Sequence, residues 1–323
     1  MDLTAVEPHA GALVAAVALD IIVGDPVYRW HPVRLIGRTL VRIERGLRAA
    51  GADGYGGGVV LLVLLGIPWV GGSTLLVSWV ASTNPYASFG LHVFTLYSLL
   101  ALGDLLRHGG RVDSAASEGD LQGARTEVAK LVSRDTERMD LAACRRAAIE
   151  SLAENLTDGF ISPLFWYMAA GLPGIVLFKV VSTMDSMVGY KDERYLRFGW
   201  CGARSDDLLN FLPARLAWAW MGAAAVFVPR CSPAKAFIVG WRRHAVVPGP
   251  NAGWSEAAMA GAIRRRLVGP IWINGKLVTE VWLGRDADPP AGRSDDYGRA
   301  AGIVRVTAAI AVLVAVCIAL CST

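Results

Sequence analysis

The sequence predicts an all-α, polytopic integral membrane protein with about four to six membrane segments and a helical insert on the cytoplasmic side. Three observations carry this reading. Hydrophobic residues make up 54% of the 323 and charged ones 19%, where soluble domains run at about 45–50% apolar and roughly a quarter charged. The mean hydropathy is +0.40. No Asp, Glu, Lys or Arg occurs between Gly54 and Gly103, nor between Val306 and Cys321, and a helix needs about 20 such residues to cross the hydrocarbon core. The same arithmetic excludes a disordered chain, a collagen-like repeat and an ordinary cytosolic globule. Five cysteines without a C-x-x-C pair argue against a disulfide framework and a structural zinc site. A net charge of +4 is too mild to imply nucleic acid, and arginines flanking membrane segments account for it.

Each segment follows from its pattern. Gly11–Val23 is a short span interrupted by Asp20. The uncharged stretch holds two spans, 57–80 and 88–106, turning at Ser82-Thr83-Asn84-Pro85. Val306–Cys321 is the last span. Two segments stay open: Gly159–Phe178, which contains Pro163, Gly171, Pro173 and Gly174, and Leu208–Val228, apolar except for Arg215. Arg29, Arg34, Arg38, Arg42, Arg45 and Arg48 follow the first span, and no Lys or Arg precedes it. The positive-inside rule then places the N-terminus outside and segments 24–53 and 104–158 in the cytoplasm. Full crossing by 159–178 would strand the polar stretch 179–207 on the opposite face, so this segment is expected to be broken or re-entrant, lining a polar cavity. The domain reading is one membrane-embedded domain over 1–323, with a cytoplasmic helical insert at 107–158 and a polar cytoplasmic segment at 230–302.

Four polar clusters interrupt the apolar background. The first is Gly24-Asp25-Pro26 with His31-Pro32-Val33-Arg34. The second is Arg134-Asp135 with Glu150 and Glu154-Asn155-Leu156-Thr157-Asp158-Gly159. The third runs from Lys179 through Thr183-Met184-Asp185-Ser186-Met187-Val188-Gly189-Tyr190-Lys191 to Asp206-Asp207 and Pro213-Ala214-Arg215. The fourth is Pro248-Gly249-Pro250-Asn251-Ala252-Gly253-Trp254-Ser255-Glu256. On a regular helix Glu150, Glu154 and Asp158 stack on one face, where like charges repel. Either Arg146 offsets Glu150 on a solvated face, or a cation occupies the row. Asp185, beside an apolar run, reads either as one half of a structural pair with Lys179 or Lys191, or as a functional carboxylate at membrane depth. Asp206 and Asp207 read as N-caps for 208–228 or as Mg²⁺ holders, since Mg²⁺ is usually bound through one or two carboxylates plus substrate phosphates. The fourth cluster is a plain loop with Ser255 as N-cap, or an anion site at a helix N-terminus served by Arg264, Arg265 and Arg266. His31 is structural, a base or a phosphate contact, and Asp135 reads as the cap of the helix that follows. There is no G-x-x-x-x-G-K-[ST], no G-x-G-x-x-G after a strand and no H-E-x-x-H, so any nucleotide chemistry uses a non-P-loop arrangement.

In order, these motifs resemble the CbiB/CobD group, the adenosylcobinamide-phosphate synthases of cobalamin biosynthesis, over about residues 10–300. One departure is visible: the family's Ser-Pro-Asn is here Gly249-Pro250-Asn251, so no hydroxyl is available at 249. The resemblance implies a multi-pass ligase of the cell membrane with its active site on the cytoplasmic face. It implies ATP and Mg²⁺ as cofactors, and coupling of the free propionate carboxylate of adenosylcobyric acid, a corrinoid, to aminopropanol or aminopropanol phosphate. Its partners are then these small molecules and the lipid bilayer, with no nucleic acid. On that footing Asp185, Asp158, Glu154 and Lys179 are the expected catalytic residues. Asp185, Asp158, Asp206 and Asp207 would hold Mg²⁺. His31, Arg34, Asn155, Lys191, Arg215 and Asn251 would bind substrate and phosphate. A membrane transporter and a non-catalytic sensor of the AmpE-like branch are the alternatives. The first calls for two related halves, the second for loss of the acidic motifs, and neither feature is visible in the sequence.

Overall fold

The structure is a computed structural model and describes residues 3–26 and 28–321. Met1, Asp2, Val27, Ser322 and Thr323, and with them both ends of the expected 1–323 domain, lie outside the described residues. Helices α1 (Ala10–Val23), α2 (Pro32–Ala49), α3 (Tyr55–Thr83) and α4 (Pro85–Tyr97) open the chain. Helices α5 (Leu102–Ser117), α6 (Leu121–Val128), α7 (Leu141–Leu156), α8 (Ser162–Val188), α9 (Trp200–Leu209) and α10 (Phe211–Ala224) follow. After α11 (Pro233–Arg243) and α12 (Ala252–Ile263) come four short strands, β1 (Leu267–Val268), β2 (Ile271–Ile273), β3 (Lys276–Thr279) and β4 (Trp282–Leu283). Helix α13 (Ser294–Cys321) closes the chain. The predicted all-α class holds, and five helical stretches are long and apolar enough to cross a membrane: Thr4–Val23, Tyr55–Thr83, Pro85–Ser117, Leu141–Val188 and Ser294–Cys321. This is a multi-pass membrane protein.

Contacts gather into two compact units, one of Met1–Ala101, Ser162–Asn210 and Val312–Thr323, the other of Leu102–Ile161 and Phe211–Ala311. In the first, α3 packs on α2, α4, α8 and α9. Helix α3 turns Val59, Val63, Leu64, Ile67, Leu76 and Trp79 outwards; exposed apolar side chains of this kind suit lipid rather than water. Helix α2 is amphipathic, burying Ile36, Leu40 and Glu44. Asn84 caps α4 by accepting from the amides of Tyr86 and Ala87, and Pro85 stands where no intrahelical donor is needed.

The two open segments resolve differently. Helix α8 is broken: Ala170 (φ −149°) and Gly171 (φ 62°) leave helical geometry, so the expected break in 159–178 is present. Only glycine fits at 171, because a Cβ there would meet the Val6 carbonyl oxygen at 2.1 Å. Leu208–Val228 is not one helix. Helix α9 ends at Leu209 and α10 has 14 residues, about 21 Å at 1.5 Å per residue and short of a crossing. The expected span 88–106 is likewise interrupted, between Tyr97 and Leu102.

In the second unit α5, α6 and α7 pack together around Val112, Val128, Cys144 and Ala148. Helix α12 packs against α7, α10 and α11, and every residue from Gly253 to Ile263 is buried. Strand β1 pairs antiparallel with β4, and β2 with β3. Asp135 tethers the β2–β3 turn, its carboxylate accepting from the amides of Asn274 (3.1 Å) and Gly275 (2.7 Å). Its expected role as a helix cap is therefore corrected: Asp140 caps α7, accepting from the Ala143 amide.

Candidate functional site

The polar clusters build two acidic centres, one in each unit. In the first unit Asp185 stands near the end of α8. Its neighbours in sequence wedge the helix into place: Met187 lies against Gly37 of α2 and Met184 against Gly202 of α9, where added Cβ atoms would meet their side chains at 3.2 and 2.9 Å. Gly189 makes room for the carboxylate, since a Cβ at 189 would sit 2.0 Å from Asp185 Oδ1. Gly189 also donates its amide to the Asp185 carbonyl oxygen at 2.7 Å.

Asp206 and Asp207 face this group from within α9. They are interior helix residues, which corrects the reading that made them N-caps for 208–228. Burial, and next the Asp185 carboxylate, push Asp206 up to about 7, against the pull of the Asn210 amide (2.9 Å) and of the Lys179 charge. Asn210 in turn accepts from the Ser162 hydroxyl at 2.5 Å. Three carboxylates and one ammonium thus share one electrostatic neighbourhood.

Lys191 lies on the exposed loop after α8, and that loop is fixed to α2 by its arginine. Buried Glu44 accepts from Arg48 (2.9 Å) and Arg194 (3.2 Å), while Arg48 donates to the Arg194 carbonyl (3.1 Å) and lies over the Phe198 ring. His31 is buried at the start of α2 and bonded to Asp25 at 2.6 Å, with Tyr28 edge-on at 5.2 Å. The two halves of the N-terminal motif therefore hold each other. Arg34 sits exposed on the first turn of α2.

In the second unit Glu150 and Glu154 project from α7, and Asp158 lies in the π-helical turn Thr157–Ile161 that follows. The wider turn breaks the regular i, i+4, i+8 stacking. π-turns inside α-helices are frequent at functional sites. Glu150 is paired with Arg134 at 2.9 Å, both largely buried. The expected partner, Arg146, instead donates to the carbonyls of Val268 (3.0 Å) and Ala291 (3.3 Å) and lies over the Trp282 ring. Asn155 donates to the Ser151 carbonyl and hydroxyl, each at 3.0 Å. A cavity of about 250 Å³ is lined by Arg134, Glu150, Ser151, Glu154, Ile271 and Ile273 among others.

Glu256 joins this centre from α12. Only 3% exposed, it is raised well above the usual carboxylate range by burial, then by the charges of Glu150, Glu154 and Asp158, with Arg134 opposing. Its place in the Pro248–Glu256 cluster was the available signal, but nothing in the spacing linked it to residues a hundred positions earlier. Helix α12 begins at Ala252, so Ser255 is not its N-cap; the Ser255 hydroxyl donates to the Ala252 carbonyl.

Arg215 is committed to the same loop. It donates to Asn251 Oδ1 (3.0 Å), to the Phe211 carbonyl (2.6 Å) and to the Pro250 carbonyl (3.4 Å), and lies over the rings of Phe211 and Trp254. Arg265 pairs with buried Asp296 at 2.9 Å, and Arg264 lies past the far end of α12 in the left-handed conformation. The arginine triplet therefore does not serve the helix N-terminus.

Of the four expected metal residues, Asp185, Asp206 and Asp207 come together in one unit and Asp158 belongs to the other. Among the described residues no three His, Cys, Asp or Glu side chains are close enough to hold a metal by themselves. Hard carboxylate oxygens on α8 and α9 nonetheless suit Mg²⁺, which takes one or two carboxylates and fills its remaining positions with water and phosphate oxygens.

A helical membrane protein with two acidic centres, neither built on a P-loop, is the class this fold and site define. The profile of the family described as CobD/Cbib protein matches residues 13–304. The chain is 37% identical over 298 residues to cobalamin biosynthesis protein CbiB of Salmonella typhi, covering 91% of this chain and 92% of the relative. It is 41% identical over 278 residues to cobalamin biosynthesis protein CobD of Sinorhizobium sp, covering 83% and 85%. With CobD of Photorhabdus laumondii the identity is 38% over 282 residues, covering 84% and 86%. The chain belongs to the CobD/Cbib family. No solved structure matches it.

Proposed function

We propose that the chain is an enzyme of cobalamin biosynthesis, an ATP-dependent ligase of the cell membrane that joins a corrinoid carboxylate to the amine of aminopropanol or aminopropanol phosphate. Its relatives are named cobalamin biosynthesis proteins, which supports the pathway. The observation that carries the reaction is the cluster of Asp185, Asp206 and Asp207 with Lys179 on α8 and α9. Carboxylate and amine do not condense unaided. In this reading the γ-phosphoryl group moves to a carboxylate oxygen with loss of ADP. The amine nitrogen then bonds to the carbonyl carbon, releasing phosphate and a proton. Protein contributions to such transfers are mostly positioning and electrostatic.

Mg²⁺, when bound, neutralises phosphate charge. Asp185, Asp206 and Asp207 would hold it, and Lys179 and Lys191 would meet phosphate oxygens. Arg34 is exposed on the same unit and would serve there too. Glu154 and Asp158 would handle the amine. Arg215 and Asn251 act as a mutual brace for their loop, and His31 braces Asp25. All these groups are assigned to the cytoplasmic side.

The test is coupling by membranes carrying the expressed chain, supplied with adenosylcobyric acid, ATP, Mg²⁺ and either amine, with the corrinoid followed by mass. A gain equal to one amine, dependent on ATP, is the expected result. Asp185→Ala should lower the rate by at least about 100-fold, the usual size of a lost transition-state contact, while the protein stays in the membrane. Normal coupling by that variant would remove Asp185 from the mechanism.

A further inference from the structure

An apolar cavity and a basic stripe lie side by side on α2, in the first unit. The cavity measures about 570 Å³ and is walled by α2, α3 and α4, with Leu35, Thr39, Gly72 and Leu76 among its lining; that is the size of a ligand pocket. Its hydroxyls are turned to their own helices: Thr39 donates to the Leu35 carbonyl (2.8 Å) and Ser73 to the Val70 carbonyl (3.1 Å). Water held in a cavity needs two to four polar partners, so this space suits hydrocarbon better. The α3 wall is unfilled at Gly72, where an added Cβ would meet no atom within 4 Å. Leu76 and Phe94 line the cavity and are also 48% and 43% exposed. The cavity is therefore continuous with an outward apolar surface of the kind that suits lipid.

Arg34, Arg38, Arg42 and Arg45 follow one another at helical spacing along α2, all exposed. Arg38 and Arg42 stand three positions after Leu35 and Thr39, so on the helix surface they adjoin the cavity wall. Among the described residues no carboxylate pairs with any of the four. The one acid of α2, Glu44, is buried and taken by Arg48 and Arg194. Arg38 spends one donor on the Arg29 carbonyl (3.0 Å), and Arg29 lies over the ring of Trp30. Trp30 lines the cavity and is 67% exposed, as tryptophans at a membrane–water boundary are. We propose that α2, α3 and α4 bind one anionic phospholipid, with an acyl chain in the cavity and the phosphate on Arg38 and Arg42. A soluble anion would use the stripe and leave the cavity empty; a neutral lipid would use the cavity and leave the stripe unpaired. The positive-inside reading of segment 24–53 puts the stripe on the cytoplasmic side, the leaflet where anionic lipids concentrate. The site depends on neither the ligase reading nor its substrates.

The experiment uses the purified full chain in detergent. Native mass spectrometry counts the lipid retained, and thermal unfolding reads the stabilisation. The probes are dioleoylphosphatidylglycerol, dioleoylphosphatidylcholine and glycerol 3-phosphate, the last having a phosphate and no acyl chain. Phosphatidylglycerol should be retained one to one and raise the midpoint. Phosphatidylcholine should bind at least about tenfold more weakly, each arginine near an anionic headgroup being worth about fivefold, and glycerol 3-phosphate should not move the midpoint. Arg38→Gln with Arg42→Gln should bring phosphatidylglycerol down to the phosphatidylcholine level. Gly72→Leu fills the cavity and should release the lipid. Its unliganded midpoint should hold or rise, because leucine is the better helix former, an outcome that general damage to the fold would not give. Should that variant fail to fold, Ser73→Leu on the same wall carries the same expected loss of lipid. Equal retention of the two lipids, or phosphatidylglycerol retained undiminished by either the arginine or the cavity variant, would mean annular lipid only and overturn the proposal. Stabilisation by glycerol 3-phosphate equal to that by phosphatidylglycerol would overturn it too, making the stripe a site for soluble anions.

Discussion

The demands on single residues are sharpest around Asp185. Glycine at 189 leaves the carboxylate its space, because a Cβ would fall 2.0 Å from Oδ1. Gly189→Ala should therefore push the carboxylate out of position and cut coupling at least about tenfold, equivalent to roughly 1.4 kcal/mol. Measuring coupling and membrane abundance together checks this; unaltered rates at normal abundance would mean that the carboxylate's position is immaterial. Asp206 makes a second, pH-linked prediction. Raised to about 7 from about 3.9 when unfolded, it holds a proton in the folded chain that the unfolded chain has released. Its contribution to stability is thus fully present below pH ~4 and is lost as pH rises to about 7. Asp206→Asn removes this loss. In EDTA the variant's midpoint should rise above wild type by a margin that grows from pH 4 to 7 and then levels off. A margin that does not change with pH would contradict the assignment.

Sequence reading reached many of these residues but not their partners. Asp185, Glu154 and Asp158 stood out because carboxylates beside apolar runs are expensive. Asp206 and Asp207 are visible as a pair, but the apolar run after them leaves helix caps and Mg²⁺ holders equally open. Glu256 was legible only as a loop-end residue. Its meaning comes from Glu150, Glu154 and Asp158, and one-dimensional spacing does not report contacts between distant positions.

Among elements, α8 is decisive. Its apolar length alone describes a plain span, whereas Ala170–Gly171 breaks it and Pro173 cannot donate to the preceding turn. Gly171 is left-handed, with the Val6 carbonyl pressed against it. Gly171→Ala should destabilise the chain by about 1–3 kcal/mol from backbone strain, and by more if the Val6 contact cannot relax. A thermal-unfolding comparison in detergent reads this, and a wild-type midpoint would show that the break tolerates a Cβ. Helix α12 makes the opposite point. It carries no amphipathic face because it is buried on every side, and periodicity cannot locate an element that has no exposed stripe.

At the scale of the whole molecule, the lipid-facing surface governs behaviour. Helices α1, α3 and α13 expose large apolar side chains, among them Ile22, Ile67, Trp79 and Leu313. The expressed chain should stay in the membrane pellet through alkaline carbonate extraction, which strips peripheral proteins. Recovery in the supernatant would refute an integral membrane protein. The two units each own one acidic centre.

From the sequence alone followed the membrane class, the polar motifs and the family they resemble, because hydropathy and motif order are written along the chain and need no folding to be read. Tertiary structure alone decided which charges meet. It paired Glu150 with Arg134 rather than Arg146, gathered Asp206 and Asp207 beside Asp185, and set Glu256 among three other carboxylates. The physical reason is that burial and electrostatics depend on distance through space. Helices α8 and α9 in one unit, and α7 and α12 in the other, each bring together groups that lie tens to a hundred residues apart in sequence.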